Sequence, residues 1–250
     1  MADAGWMWPV GLAILGVVFG SFIAVIVIRW PEGGSALEGR SRCDDCARTL
    51  APIELIPVMS FVIQRGRCRS CGVAIDAMHP ACEAIGLFIG LACGALMPGW
   101  EGVAGAIFGW LLLLLGALDL RAFWLPDIVT GLLALTGIAS GLAGFAPSLE
   151  ERLIGGLAGF VSLWCIAFAY RRLRGRHGLG GGDAKLLGAI GLWIGWRVLP
   201  LLVLTACLIG FVAVLFQMVR GRKVAATTAM PLGTMLAIAA FPLWLSGGPY

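Results

Sequence analysis

Two acidic side chains stand at the ends of apolar segments, where they could carry out acid–base chemistry together. Asp119 closes the run WLLLLLGALD, and Asp183 follows Gly180, Gly181 and Gly182 in front of another apolar run. A carboxylate near the hydrocarbon core is costly, and an acid is unfavourable at the C-terminal end of a helix. Two close carboxylates that share one proton can activate a water molecule and protonate a carbonyl or a leaving amine. The pair therefore predicts hydrolysis by an aspartyl dyad.

The glycines before Asp183 favour a special backbone over an ordinary helix cap. Asp183 could simply cap a helix, but such a cap does not require the sequence GLGGG in front of it. Glycines allow positive φ angles and the close approach of another segment, so we expect Gly180, Gly181 and Gly182 to form an active-site loop. A phosphate-binding loop is excluded, because that pattern needs Gly-Lys-Ser/Thr and Lys185 follows an alanine here.

Two further acids lie beside apolar segments. Asp127 follows Pro126 and precedes IVTGLLAL, so we interpret it as the N-cap of the fourth apolar span. Glu83 lies one turn into the second span. Its position fits a structural role, either snorkelling or paired with an arginine, as well as a chemical one.

The elements that must position these acids are membrane-spanning helices. The chain has 250 residues, of which 60% are hydrophobic and 13% charged. Its mean hydropathy is +0.94, more apolar than a soluble core of this size can hide. We therefore predict an all-α polytopic membrane protein with about eight transmembrane helices. The predicted spans are about 8–28, 80–98, 103–119, 128–146, 153–170, 184–197, 198–219 and 230–246.

The basic residues predict the orientation of these spans, because short cytoplasmic loops retain Lys and Arg. With the N-terminus outside, sixteen of the 18 basic residues fall on the cytoplasmic side, and only Arg152 and Arg197 disagree. Both termini are then periplasmic, and Asp119 and Asp183 both lie at the cytoplasmic face. Topology and anionic lipid explain the net charge of +4, so the lipid bilayer is the expected partner and no nucleic acid is needed.

A polar insert at residues 30–78 separates the first helix, residues 1–29, from a seven-helix membrane core at residues 79–250. The insert contains two CxxC pairs, whose four cysteines can hold one structural Zn²⁺ through thiolates. A redox pair and structural disulfides are the alternatives; the cytoplasmic side argues against disulfides, and two matched pairs argue against a single redox centre. A small insert also has too little hydrophobic core to be stable alone, and a bound metal ion would stabilise it. The expected metal ligands are Cys43, Cys46, Cys68 and Cys71.

The segment IELIPVMSFVI, residues 53–63, is unusually apolar for a part of this insert. It can be an interfacial segment pressed on the membrane, or it can be buried against the cysteine pairs. The sequence leaves both interpretations open.

Several motifs together resemble the bacterial prepilin peptidases, the type IV leader peptidases of the GxGD aspartyl class, over nearly the whole chain. The resemblance implies that Asp119 and Asp183 are the catalytic pair. It also implies an enzyme of the bacterial inner membrane that removes the basic leader of type IV prepilins and type II secretion pseudopilins, cleaving after a glycine at the cytoplasmic face. The matching motifs are GSFIAVIVIRWP (20–31), RGRCRSC (65–71), LDLRAFWLPD (118–127), GLGGGDAKLL (178–187) and MPLGTMLA (230–237).

Many members of this family then methylate the new N-terminus with S-adenosylmethionine. The first-span motif of the family usually has an asparagine that is associated with methyl transfer, and this chain has Ala24 there. Alanine has no side-chain hydrogen-bonding group. We therefore expect weak or absent methyltransferase activity, and S-adenosylmethionine as a cofactor only if that activity is retained.

Two other functions remain as alternatives to the endopeptidase. A proton-coupled transporter could use the same carboxylates as a relay, although the sequence shows no internal repeat and places both acids at one face. A membrane scaffold could recruit a partner through its zinc insert, but the two intact aspartates argue against it.

Overall fold

Helices make up nearly all the regular structure of the chain. A computed structural model describes residues 5–36, 40–175, 180–221 and 229–247. Over these ranges there is no β-strand, and only two isolated bridges occur, Arg42 with Thr49 and Arg67 with Ala74. Two short 3₁₀ helices, Trp30–Glu32 and Pro52–Leu55, accompany eight α-helices. These are α1 Met7–Arg29, α2 Met59–Ile63, α3 Met78–Leu96, α4 Trp100–Ala122, α5 Asp127–Leu142, α6 Leu149–Arg174, α7 Gly181–Val219 and α8 Leu232–Leu245.

The predicted all-α polytopic membrane fold is confirmed. Helices α1, α3, α4, α6 and α7 are long and apolar enough to cross a membrane, and α5 and α8 are shorter apolar helices. The short α2 lies in the insert. The predicted sixth and seventh spans are joined in α7, which is one helical element with a single interruption.

Helix α7 is interrupted by one residue. Its 39 residues would extend for roughly 58 Å as a straight helix, about twice the thickness of the hydrocarbon layer. The interruption falls at Gly195, whose φ of 72° and ψ of 172° belong to a region that only glycine readily adopts. A Cβ atom at this position would also lie 3.2 Å from the Pro147 ring. The predicted boundary between the two spans therefore falls at Gly195, two residues earlier than expected.

The chain divides into two compact units, residues 1–113 and 114–250. In the first unit, α1 and α3 pack backbone against backbone. A Cβ atom at Gly16 would collide with the carbonyl of Gly86, and one at Gly20 with the carbonyl of Cys82. Small residues let apolar helices approach closely and gain van der Waals contact where lipid removes the usual hydrophobic driving force. This pairing fixes the level of each residue of α3 against α1.

Glu83 holds the insert on this helix pair. Its side chain is buried, and its two carboxylate oxygens accept separate hydrogen bonds. The Ser21 hydroxyl donates to Oε1 at 2.7 Å, and the Val58 backbone N–H donates to Oε2 at 2.6 Å. Glu83 is therefore structural, although its partners are a serine and a backbone amide of the insert instead of the arginine or the solvent considered from the sequence.

In the second unit, the two basic residues that disagree with the charge rule have local partners. The Arg152 side chain is 1% exposed, and Arg197 forms an ion pair with Glu151 at 2.9 Å. A guanidinium that is fixed within the protein does not report which side of the membrane its loop occupies. Arg152 donates hydrogen bonds to the backbone carbonyls of Gly137, Phe145, Ala146, Pro147 and Leu192.

The apolar segment of the insert is largely exposed. Six of its large apolar side chains have exposed fractions between 42% and 64%. Burial of the whole segment against the cysteine pairs, one of the two interpretations above, is therefore wrong. The six residues are Ile53, Leu55, Ile56, Met59, Val62 and Ile63.

Candidate active site

Asp119 lies near the C-terminal end of α4, with its side chain 5% exposed. Its Oδ2 atom accepts a hydrogen bond of 2.8 Å from the backbone N–H of Thr234, in the first turn of α8. The Thr234 hydroxyl lies 3.3 Å from the same oxygen and donates at 2.8 Å to the carbonyl of Gly116. The first N–H groups of a helix lack intrahelical partners, so the start of α8 supplies donors that suit a carboxylate. The backbone N–H of Gly233, the residue before Thr234, also stabilises this carboxylate.

Asp183 lies in the first turn of α7 and is half-buried. Its Oδ2 atom accepts a hydrogen bond of 3.2 Å from the backbone N–H of Gly180, the N-cap residue. Asp183 is therefore not the N-cap residue itself, the alternative that the sequence left open; it is the third helical residue, and its carboxylate accepts from the N-cap backbone. Gly178 and Leu179 of the glycine-rich motif lie outside the described residues.

The structure brings the two aspartates together within the second unit. Two carboxylates that lie close together disfavour simultaneous ionisation. Leu125 lies between the helix starts: a Cβ atom at Gly182 would be 3.0 Å from Leu125 Cβ, and one at Gly233 would be 3.0 Å from both Leu125 Cδ1 and Asp119 Oδ2. The end of α4, the start of α7 and the start of α8 therefore converge. The absence of a side chain at Gly182 and Gly233 leaves space for Leu125 and Asp119.

The sequence did not identify three residues of this arrangement, Leu125, Gly233 and Thr234. Leu125 and the pair at 233–234 belong to motifs already recognised, LDLRAFWLPD and MPLGTMLA, and this was the only signal. Their contacts with Asp119 and Gly182 join residues that are far apart along the chain, and no local pattern encodes such contacts. The backbone N–H of Thr234 in particular is invisible in a list of side chains.

Asp127 differs from its predicted role. The N-cap of α5 is Pro126, and Asp127 is the first helical residue. The Asp127 side chain is 74% exposed and forms an ion pair with Lys185 at 2.7 Å. Asp127 thus links the starts of α5 and α7 at the surface.

In the insert, the four predicted metal ligands form one cluster. The Sγ atoms of Cys43, Cys46, Cys68 and Cys71 all lie within 4.8 Å of one another, and those of Cys43 and Cys71 are 4.0 Å apart. A tetrahedral zinc ion with Zn–S bonds of about 2.3 Å needs sulfur atoms about 3.8 Å apart, so the cluster fits the ion. Four thiolates would fill all four positions, as in a structural site.

The two CxxC turns repeat the same backbone pattern. In each, the residue after the second cysteine donates its N–H to the carbonyl of the first: Ala47 to Cys43, and Gly72 to Cys68. Both of these residues have positive φ, 55° at Ala47 and 72° at Gly72. The backbone N–H groups of Cys71 and Ser70 stabilise the Cys68 thiolate and lower the pKa of this thiol from 9.0 to about 6. A ready thiolate favours metal binding.

The fold and this site define a polytopic membrane protein with a pair of carboxylates at its helix ends. Two family models match the chain: the bacterial Peptidase A24 N-terminal domain over residues 14–97, and the type IV leader peptidase family over residues 106–215. The chain belongs to the type IV leader peptidase family, and the resemblance seen in its motifs is confirmed. No solved structure matches it.

Relatives of this chain from several bacteria carry the name prepilin leader peptidase/N-methyltransferase. The relative from Burkholderia pseudomallei (strain K96243) is 36% identical, over 95% of this chain and 85% of its own length. The relative from Aeromonas hydrophila is also 36% identical, over 83% of this chain and 72% of its own length. The relative from Pectobacterium carotovorum subsp. carotovorum is 34% identical, over 92% of this chain and 90% of its own length. These relatives favour the peptidase over the transporter and the scaffold.

Substitution of single glycines tests whether the packing at Leu125 positions the aspartates. We expect Gly182→Ala to lower kcat for leader cleavage by roughly 10- to 100-fold, because its methyl group would push against Leu125 and displace Asp183. Gly131→Ala in α5 is the matched control, since a Cβ there meets no atom within 4 Å and the residue is exposed and outside the active-site loop. Both variants are compared by kcat and by thermal unfolding in detergent. Equal kcat in the two variants would contradict the positioning role of this contact.

Proposed function

We propose that this protein is a membrane aspartyl endopeptidase that removes the leader peptide of type IV prepilins or pseudopilins. The observation that carries the proposal is the convergence of Asp119 and Asp183, at the end of one apolar helix and the start of another. Family membership supplies the substrate class, because the relatives are prepilin leader peptidases.

The two carboxylates would share one proton and act as base and acid in turn. One carboxylate removes a proton from a water molecule, which attacks the scissile carbonyl, and the protonated carboxyl donates to the carbonyl oxygen. The carboxyl group that took up the proton of water then donates it to the leaving amine. Because water is the nucleophile, no covalent intermediate with the enzyme forms. The Thr234 N–H donates to Oδ2 of Asp119 and would hold this carboxylate in place during the reaction. The apparent pKa values would belong to the pair.

The topology follows from the charge pattern and supports access from the cytoplasm. We place the protein in the bacterial inner membrane with both termini periplasmic and the aspartates at the cytoplasmic face. Asp119 is near the end of α4 and Asp183 at the start of α7, as expected for two acids at one level. The first helix, the insert and the seven-helix core, residues 1–29, 30–78 and 79–250, form the functional divisions of this proposal. The active-site loop would be Gly180, Gly181 and Gly182, which lets Asp183 approach Asp119.

Removal of either carboxylate tests the dyad. We expect Asp119→Asn and Asp183→Asn each to lower cleavage of a prepilin by about 1,000-fold, because neither amide can exchange the shared proton. Asp127→Asn is the matched control, since this acid is exposed and paired with Lys185, and it should retain cleavage. Processing is followed by the size of the pilin on gels and by N-terminal sequencing. Normal processing by Asp119→Asn or Asp183→Asn would remove that residue from the mechanism.

The cysteine cluster would hold one structural zinc ion per chain. We expect the purified protein to contain about one zinc, and the double variant Cys43→Ser/Cys68→Ser to contain none, because two of the four thiolates would be lost. Acid should release the metal, since protonation of the thiolates competes with metal binding. Cys207→Ser is the control, because this cysteine lies on α7 outside the cluster. If elemental analysis finds as much zinc in the double variant as in the unaltered protein, the assignment is contradicted.

Methyl transfer should be weak or absent. The relatives are named as N-methyltransferases, but Ala24 is fully buried and offers no polar atom where the family motif usually has asparagine. We expect the processed pilin to carry an unmodified N-terminus when S-adenosylmethionine is supplied, with the Burkholderia pseudomallei relative as the positive control. Mass spectrometry of the mature N-terminus measures the product. A stoichiometric methyl group would show that Ala24 does not limit the reaction and that S-adenosylmethionine is a cofactor.

A further inference from the structure

The insert carries an exposed apolar face that the peptidase mechanism does not use. We define this apolar face as Ile53, Leu55, Ile56, Met59, Val62 and Ile63, which lie on the 3₁₀ helix Pro52–Leu55, on α2 and on the turn between them. Exposed apolar clusters of this kind mark interaction sites on soluble surfaces. The insert is tethered to α1 and α3, so its position against these helices indicates what the apolar face contacts.

The hydrogen bonds of Glu83 hold the middle of this segment alongside α1 and α3, inside the ends of both helices. The carboxylate joins Val58 of the segment to Ser21 of α1. Ser21 precedes the end of α1 at Arg29 by roughly 12 Å along the helix axis, and Glu83 follows the start of α3 by about 8 Å. The backbone at Val58 therefore lies beside apolar turns of both helices and away from the polar ends.

The segment has a strained turn at Val58, the residue that is bound to Glu83. Val58 has a φ of 61° and a ψ of −52°, and the Met59 N–H donates across it to the Pro57 carbonyl at 2.6 Å. This is a γ-turn with positive φ at a β-branched residue, a conformation that persists only where the surroundings impose it. The hydrogen bond from the Val58 N–H to Glu83 is such an imposed contact.

The charges of the segment are arranged as on a membrane-surface element. Its one acid, Glu54, is buried and turned to the Arg48 guanidinium at 2.7 Å. The Ala51 N–H and Arg48 hold the pKa of Glu54 below its usual range, so this acid remains paired inside the insert. Two exposed basic residues, Arg65 and Arg67, follow the apolar face directly, and Arg69 lies 4.0 Å from the Glu54 carboxylate. Apolar side chains beside basic ones suit the boundary between acyl chains and anionic headgroups.

The helices that hold the insert also expose apolar side chains near the level of Glu83. Phe19 and Phe22 of α1 and Ile85 and Phe88 of α3 are exposed apolar residues of membrane-crossing helices near the level of Glu83. A segment fixed to Glu83 has the same apolar surroundings available to it. Lipid is therefore the occupant that the position and the charge pattern favour over a water-soluble partner.

We propose that the apolar face of the insert docks into the cytoplasmic boundary of the bilayer, between acyl chains and anionic headgroups. Glu83 and the Val58 turn hold the segment there, and the arginines meet lipid phosphates. The cysteine cluster is thereby kept against the membrane surface. This inference does not depend on the peptidase activity, and its test uses no enzyme assay.

Depth-dependent fluorescence quenching tests the docking in the intact protein. A genetically encoded environment-sensitive amino acid replaces Val62 in one variant and Met59 in another, and zinc-loaded full-length protein is reconstituted in phosphatidylcholine and phosphatidylglycerol bilayers. Thr49, an exposed polar residue of the insert, is the matched control position. The quenchers are lipids brominated near the headgroup end of the acyl chain, and iodide in the water. Thermal unfolding of each labelled protein shows that the label is tolerated.

We expect the labels at 62 and 59 to be quenched by the brominated lipid and to show an iodide quenching constant at least about threefold lower than the label at 49. Iodide access at 62 and 59 equal to that at 49 would overturn the proposal. Protection from both quenchers would overturn it as well, because a protein partner or a second copy of this chain would then cover the face.

Discussion

Close approach of helix backbones at glycines is the constraint on which the rest of this structure depends. In a bilayer, two apolar helices gain little from hiding hydrophobic surface from each other, so they associate through van der Waals contact and hydrogen bonds. Gly16 and Gly20 permit that contact between α1 and α3, and Gly155 and Gly191 permit it between α6 and α7. Both functional regions sit on helices positioned in this way, because Glu83 belongs to α3 and Asp183 to α7.

The same constraint shapes the neighbourhood of the aspartates. Asp119 is tolerated at the end of α4 because the start of α8 supplies the Thr234 N–H to its carboxylate. Gly233 precedes that donor, and a Cβ atom there would lie only 3.0 Å from Asp119 Oδ2 and crowd the carboxylate. The costly position of Asp119 and the glycine beside the donor are therefore two parts of one arrangement. A buried acid at a helix end signals that another segment must approach it closely.

The sequence predicted the helices, the two aspartates and the cysteine cluster because each depends on local composition or spacing. Hydropathy alone identified the spans, although the junction at Gly195 lies inside an apolar run and carries no polar signal. The partners of Glu83 were missed, because one of them is a backbone amide of the insert. Thr234 was missed for the same reason. Side-chain patterns thus predict which groups are present, while backbone donors from distant segments decide which of those groups are held and how.

The two halves of α7 are joined directly at Gly195, with no loop between them. A loop absorbs an added or deleted residue at small entropic cost, whereas a continuous helix turns by about 100° for each residue gained or lost. Leu202 and Ala206 are buried beyond the junction, and Gly210 contacts Met235 of α8. An insertion or deletion next to Gly195 would therefore rotate this buried face towards lipid and disturb its packing against α8.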